Sequence, residues 1–192
     1  MKKLLPLVLL GLSLSAFAKP QICTFDYTKE GSTLGWTAYK TPKKVGLGAK
    51  FSDFTITANN SKSINDLLAS AAFDIDSQSV DSGDKGRDMK IMQFFFKKML
   101  KGTKITGKVL KVTENSADVE ITMNGTTKTV AMSSKFDDAT SKLTLKGAID
   151  VLDFGMKDNL AALTKACMEK HEGVTWPNVD LELVAAIKKS CK

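Results

Sequence analysis

The sequence predicts an all-β fold: an up-and-down barrel of eight antiparallel strands with one elaborated end. Three observations predict it. Apolar and polar residues alternate with a period of two through most of the chain. Short segments rich in Asn, Asp, Gly and Ser separate the alternating runs. Two long connections, residues 77–103 and 151–177, fall at the same end of an up-and-down arrangement. Closure into a barrel removes exposed strand edges; a two-sheet sandwich is the alternative.

Residues 1–18 stand apart from the fold. Lys2 and Lys3 precede an apolar run from Leu4 to Leu14, and Ala16-Phe17-Ala18 offers a small-x-small cleavage site. This is the pattern of a secretory signal peptide. The run is too short for a stable membrane span. No Cys stands at the cleavage point, which argues against a lipid-anchored N-terminus. The remaining chain, 19–192, is expected to form one domain. The full sequence has 28 Lys+Arg against 21 Asp+Glu; without the two signal lysines the balance is 26 against 21, a mildly basic +5. Such a charge suits general solubility or an anionic ligand. Nucleic acid is not expected, because no binding motif is present.

The strands follow in order. Thr33–Lys40, Leu47–Ala58, Leu67–Asp76 and Lys104–Val112 are the first four. In Ala117–Met123, Val119, Ile121 and Met123 alternate with Asp118, Glu120 and Thr122. Asn124-Gly125 then signals a hairpin into Thr127–Phe136. Asp137 to Ser141 turns the chain into Lys142–Asp150. The last strand places Val179, Leu181, Leu183, Ala185 and Ile187 on one face. Two stretches break the period. A short helix is expected within 84–99, rich in Met and Phe. A second is expected near 158–171, where Leu160, Leu163, Cys167, Met168 and His171 share a helical stripe between an Asp158 N-cap and a Gly173 stop.

Strand parity puts connections 41–46, 77–103, 125–126 and 151–177 at one end, the mouth, and the short turns at the other. The eighth strand ends where the first begins, so Cys23 and Cys191 are expected to form the disulfide that export permits. Cys167 then lies at the mouth and is expected to be a buried thiol. The mouth collects Lys40, Lys43, Lys44, Lys85, Arg87, Lys90, Lys97, Lys98 and Lys101, interleaved with Met and Phe. Either the helix plugs the barrel, or an apolar tunnel with a basic rim receives an amphiphile. Arg87 and Asp88 are neighbours that do not face each other on a helix, so each is expected to find another partner.

No catalytic set can be assembled around His171, the only histidine. Cys167 and His171 have metal-ligand spacing, but two ligands do not make a site and a half-buried helix stripe explains both. No cofactor or phosphate-loop motif is present.

Ser79-Val-Asp-Ser-Gly-Asp-Lys-Gly-Arg-Asp88, followed by Phe95-Phe96, resembles the signature of the YceI-like family. Gly48 to Phe54, Ile105-Thr-Gly107, Gly125 to Val130 and Asp153-Phe-Gly-Met156 resemble further family segments in the same order, over residues 25–188. The chain departs from the family pattern at Thr37 to Tyr39, where a His is common, at Lys97 for an Asp, at Thr129 for a Pro, and at Val151 or Leu152 for an Arg. The resemblance implies an extended lipocalin-like barrel in the bacterial periplasm that holds a long apolar amphiphile, isoprenoid-like or fatty-acid-like, without enzymatic activity. Trp36, Phe51, Phe54, Phe73, Phe95, Phe96 and Phe154 are the lumen candidates, with Lys43, Lys44 and Arg87 for an anionic head. The rivals are an interaction module with a side-chain-filled barrel and an enzyme acting on lipid. A transient membrane-surface contact and a homodimer stay open.

Overall fold

The structure, a computed structural model, describes residues 21–192; the signal peptide expected at 1–18 lies outside the described residues. Ten antiparallel strands form one curled sheet. They are β1 (Cys23–Lys40), β2 (Val45–Phe51), β3 (Phe54–Thr57), β4 (Ala72–Asp76), β5 (Val80–Asp81), β6 (Lys104–Val112), β7 (Ser116–Met123), β8 (Thr126–Asp137), β9 (Lys142–Asp150) and β10 (Thr175–Cys191). Their order across the sheet is β3-β4-β6-β7-β8-β9-β10-β1-β2-β5. β3 is at one end of that order and β2 is next to the other, flanked only by the two-residue β5, yet only Ser52 and Asp53 separate β2 from β3. The chain therefore bridges the two sheet edges itself. The backbone bonds Asp76 N to Asp53 O (3.1 Å) and Ser52 N to Ser79 O (2.9 Å) fasten the seam.

Two expectations about strands are corrected. The run Leu47–Ala58 is two strands, because the bend at Ser52-Asp53 switches its partner from β1 to β4. The strand expected from Leu67 starts only at Ala72, since helix α1 (Ile64–Ala69) occupies the residues before it. Ser63 starts that helix: its Oγ accepts from Asp66 N at 3.0 Å and donates to Asp66 Oδ2 at 2.7 Å. β1 is also longer than expected, beginning at Cys23 and interrupted by an irregularity between Thr28 and Thr33.

The two helical insertions are present. α2 (Lys85–Phe94) continues into a 3₁₀ turn at Phe96–Lys98. α3 (Lys157–Ala166) and α4 (Met168–His171) form the second. Asp158 lies inside the first turn of α3 rather than capping it, while α4 ends on the left-handed Glu172 (φ 50°), which the expected stop Gly173 (φ 76°) follows.

Both ends have the residents that parity assigns. At the mouth, Asn124 Oδ1 accepts from Leu100 N (2.6 Å) and its Nδ2 donates to Phe154 O (2.9 Å), while Trp176 Nε1 donates to Thr41 O (2.9 Å). All four mouth connections are thereby tied to neighbours. At the floor, Cys23 and Cys191 are register partners across β1 and β10 and are joined by a disulfide, leaving Cys167 free. α1 covers this end with Leu67 and Leu68 buried.

Candidate functional site

The inward faces of the strands enclose two apolar chambers. The upper one, at the mouth, holds about 930 Å³ counting space open to solvent. The lower one, over α1, holds about 910 Å³ on the same basis. Trp36, Phe51, Ile105, Met123, Ile149 and Leu181 line both. These shared side chains form a waist at which the two chambers meet. A line of aromatic rings descends into it: Phe95 to Phe96 at 5.1 Å between centroids, Phe96 to Phe51 at 5.8 Å, Phe51 to Trp36 at 6.3 Å. Edge-on and tilted rings at these spacings attract each other and give the waist a firm wall. The indole N–H of Trp36 is buried and has no acceptor among the described residues.

Beside the lower chamber, Phe73 lies across Gly107 on the neighbouring strand. A Cβ there would approach the Glu120 backbone carbonyl to 2.0 Å and Phe73 Cζ to 2.3 Å. The Gly of Ile105-Thr-Gly107 is therefore a packing requirement of the sheet at this point.

Polar groups gather only at the upper chamber. Lys40, Arg87, Cys167 and His171 are among its lining. His171 Nδ1 is 2.7 Å from Thr175 Oγ1. Burial lowers the pKa of its imidazole, with Lys40 and Lys90 adding to the effect, so the ring is held neutral near neutral pH. Arg87 is half committed elsewhere: Nε donates to Ser82 Oγ (2.8 Å) and Nη2 to Ser82 O (2.7 Å). Ser82 in turn donates its N–H (2.9 Å) and hydroxyl to the buried Asp88 carboxylate. Arg87 and Asp88 thus meet through Ser82 rather than directly. Asp84 caps α2 by accepting from Arg87 N at 3.0 Å, a bond that holds its carboxyl below the usual range. Asp81 is lowered likewise by the Gly83 N–H and by Lys50. The Ser79–Asp88 run is a self-bonded corner that launches α2 across the mouth.

Among the residues singled out from sequence, the structure brings Trp36, Phe51, Phe95, Phe96 and Arg87 together around the upper chamber, and Trp36, Phe51 and Phe73 around the lower. Phe54 and Phe154 are buried but line neither chamber. Lys43 and Lys44 also stand outside; the Lys44 ammonium sits over the rings of Tyr39 (5.2 Å) and Trp176 (5.4 Å) at the rim. Lys40 and His171 occupy the positions nearer the lumen. Sequence reasoning also missed two clamps. Asn124 read only as a turn residue, and Asn159, whose Nδ2 donates to Phe95 O at 2.8 Å and so holds α3 against α2, carries no sequence signal at all. Among the described residues, no three His, Cys, Asp or Glu side chains cluster as a metal site would require.

The sequence profile of the YceI-like domain matches residues 25–185. The chain belongs to that family. Solved structures share this YceI-like fold at low identity. A polyisoprenoid binding domain from Saccharophagus degradans implicated in plant cell wall breakdown is 14% identical, with a TM-score of 0.59 over 86% of this chain and 97% of that one. BcnA from Burkholderia cenocepacia is 15% identical, with a TM-score of 0.56 over 85% and 99%. A mutant YceI protein from Campylobacter jejuni is 16% identical, with a TM-score of 0.51 over 77% and 86%. At these identities the likeness is one of fold. No curated protein sequence matches the chain.

Proposed function

We propose that this YceI-like protein carries or sequesters a long-chain apolar amphiphile, isoprenoid-like or fatty-acid-like, in the passage formed by its two chambers. The observation that carries the reading is that two apolar chambers meet at a waist of six shared side chains. A passage that long and that apolar suits a chain rather than a compact polar molecule. The tail would lie along the aromatic line from Phe95 to Trp36, and its burial would contribute about 0.8 kcal/mol per CH₂. An anionic or strongly polar head would sit in the upper chamber near Arg87, Lys40 and His171. The solved polyisoprenoid binding domain of the same fold agrees with this ligand class.

The reading is of binding without chemistry: the lumen side chains are apolar, and the few polar ones stand at the upper chamber where a head group would sit. It also places the protein in the periplasm. The Cys23–Cys191 disulfide fits an oxidising compartment, and the N-terminal pattern fits export.

Native mass spectrometry of the protein purified from its own source tests this. The expected result is an added mass at near one-to-one that denaturation releases as a long-chain amphiphile. Repeated absence of any such mass, together with no uptake of offered isoprenoid or fatty amphiphiles, overturns it and favours a side-chain-supported interaction module.

A further inference from the structure

We propose that the mouth end of the barrel docks on an anionic lipid surface, with its exposed apolar side chains entering the headgroup region. The proposal rests on the carrier reading for its purpose, since it supplies the route by which a membrane-derived chain reaches the passage, but its observations are separate.

Seven large apolar side chains stand exposed among the described residues. Five of them are on the mouth connections or at their edge: Val45, Met89, Leu100, Leu152 and Met168. Leu100 is the most exposed, at 81%, just beyond the 3₁₀ turn. They come from three separate connections, so the pattern is a property of the end of the barrel and not of one loop.

The charges of the same end are arranged to match. Residues 41–44 carry two lysines and no acid, and residues 77–103 carry six basic and three acidic side chains. Those three acids each have a partner: Asp81 has Lys50 (3.4 Å), the exposed Asp84 caps the start of α2, and the buried Asp88 holds Ser82. The basic groups stay outward. The described ion pairs engage Lys29, Lys50, Lys104, Lys108, Lys146 and Lys189, all outside the mouth connections. None engages Lys43, Lys85, Lys90, Lys97, Lys98 or Lys101, which are all exposed. The last mouth connection, 151–174, is near balance with three lysines and four acids, so the positive field comes from the first two.

Unpaired lysines interspersed with exposed Leu and Met are the chemistry that anionic lipid headgroups recognise. Among the described residues no helix is long and apolar enough to cross a membrane, so the contact is with the surface. The upper chamber opens at this end, so docking would set the entrance of the passage against the lipid.

Flotation of the protein with phosphatidylcholine vesicles, with and without phosphatidylglycerol, tests the proposal. Binding is expected only to the anionic vesicles and is expected to weaken with added salt. Lys97→Gln, Lys98→Gln and Lys101→Gln together should lower vesicle partition by roughly 100-fold, at the strength typical of lysines near a charged membrane. Leu100→Ser should lower partition while leaving the salt dependence in place. Ligand retention, read by native mass spectrometry on the same samples, should be unchanged in both variants. Absence of wild-type binding at low salt overturns the proposal, whether a second copy or another protein covers the face instead. So does unaltered binding by the lysine variant. If the ligand is retained in either case, the carrier reading survives.

Discussion

The two ends of this barrel solve opposite problems. The floor is tied shut: a disulfide joins the first and last strands, a capped helix covers the lower chamber, and the turns at 113–115 and 137–141 are short. Its acidic turn is also paired, Lys189 lying 2.8 Å from Asp138. The mouth is held by a few side-chain hydrogen bonds from Asn124, Asn159 and Trp176, and it leaves lysines and apolar side chains facing outward. The difference teaches that rigidity and access are divided between ends of one sheet. The closed end supplies stability, and the open end has interactions weak enough to give way.

Breaking the floor should have the largest effect. Cys23→Ser with Cys191→Ser removes a cross-link between residues separated by 168 positions. Chain-entropy arguments put the loss at about 5 kcal/mol or less. Denaturant titration of the variant, or of the reduced protein, should show a lower midpoint, with the whole sheet failing together.

Loosening the mouth should cost less and stay local. Asn124→Ala strands the Leu100 N–H and the Phe154 carbonyl, for about 1–3 kcal/mol. Hydrogen exchange should quicken around residues 96–100 and 151–156 while β1 and β10 near the disulfide stay protected. Equal loss of protection at both ends would show that the division is not real.

The smallest effect concerns pH. The imidazole of His171 has a folded pKa below its ordinary 6.5, so the unfolded chain takes up a proton that the folded protein resists. Stability should therefore fall as pH drops through 6.5 and level off once the lower folded value is passed. His171→Gln should flatten that part of the stability curve, measured by thermal unfolding across mildly acidic pH. No second histidine gives the floor a counterpart in this pH range.

The same contrast governs what could be read from sequence. β7, β8 and β9 were legible almost to the residue, and β10 in its middle though not at its ends, because one face of each strand is buried and the other wet, as in the strict alternation of Ser116–Met123. The ends of the barrel followed from parity, and the disulfide from parity in turn. The seam was not legible. At Ser52-Asp53 the inward residues slip from odd positions (Leu47, Ala49, Phe51) to even ones (Phe54, Ile56), which marks a bend, but pattern does not record the change of partner. α1 was lost to a Leu67-Leu68 pair that looks like the start of a strand, although Ser63 and Asp66 carried its cap in plain view. At the site, composition identified an aromatic, basic end but not the direction of each side chain. Phe54 and Phe154 are as buried as Phe51, yet they pack outside the chambers. Lys40 and His171 line the lumen where Lys43 and Lys44 were expected, because the Thr41–Lys44 turn folds back onto Tyr39 and Trp176. Asn124 and Asn159 act only through carbonyl and amide partners far away in sequence, and nothing local announces them.

The central claim is that one continuous passage holds a single chain, and its waist offers the most direct test. Leu181 is half-buried and lines both chambers. Leu181→Trp would fill the waist from within. Uptake of a long-chain isoprenoid alcohol, counted by native mass spectrometry alongside circular dichroism of the same sample, should fall from near one-to-one to almost none while the β signal is kept. Undiminished uptake by a folded Leu181→Trp protein would contradict the account.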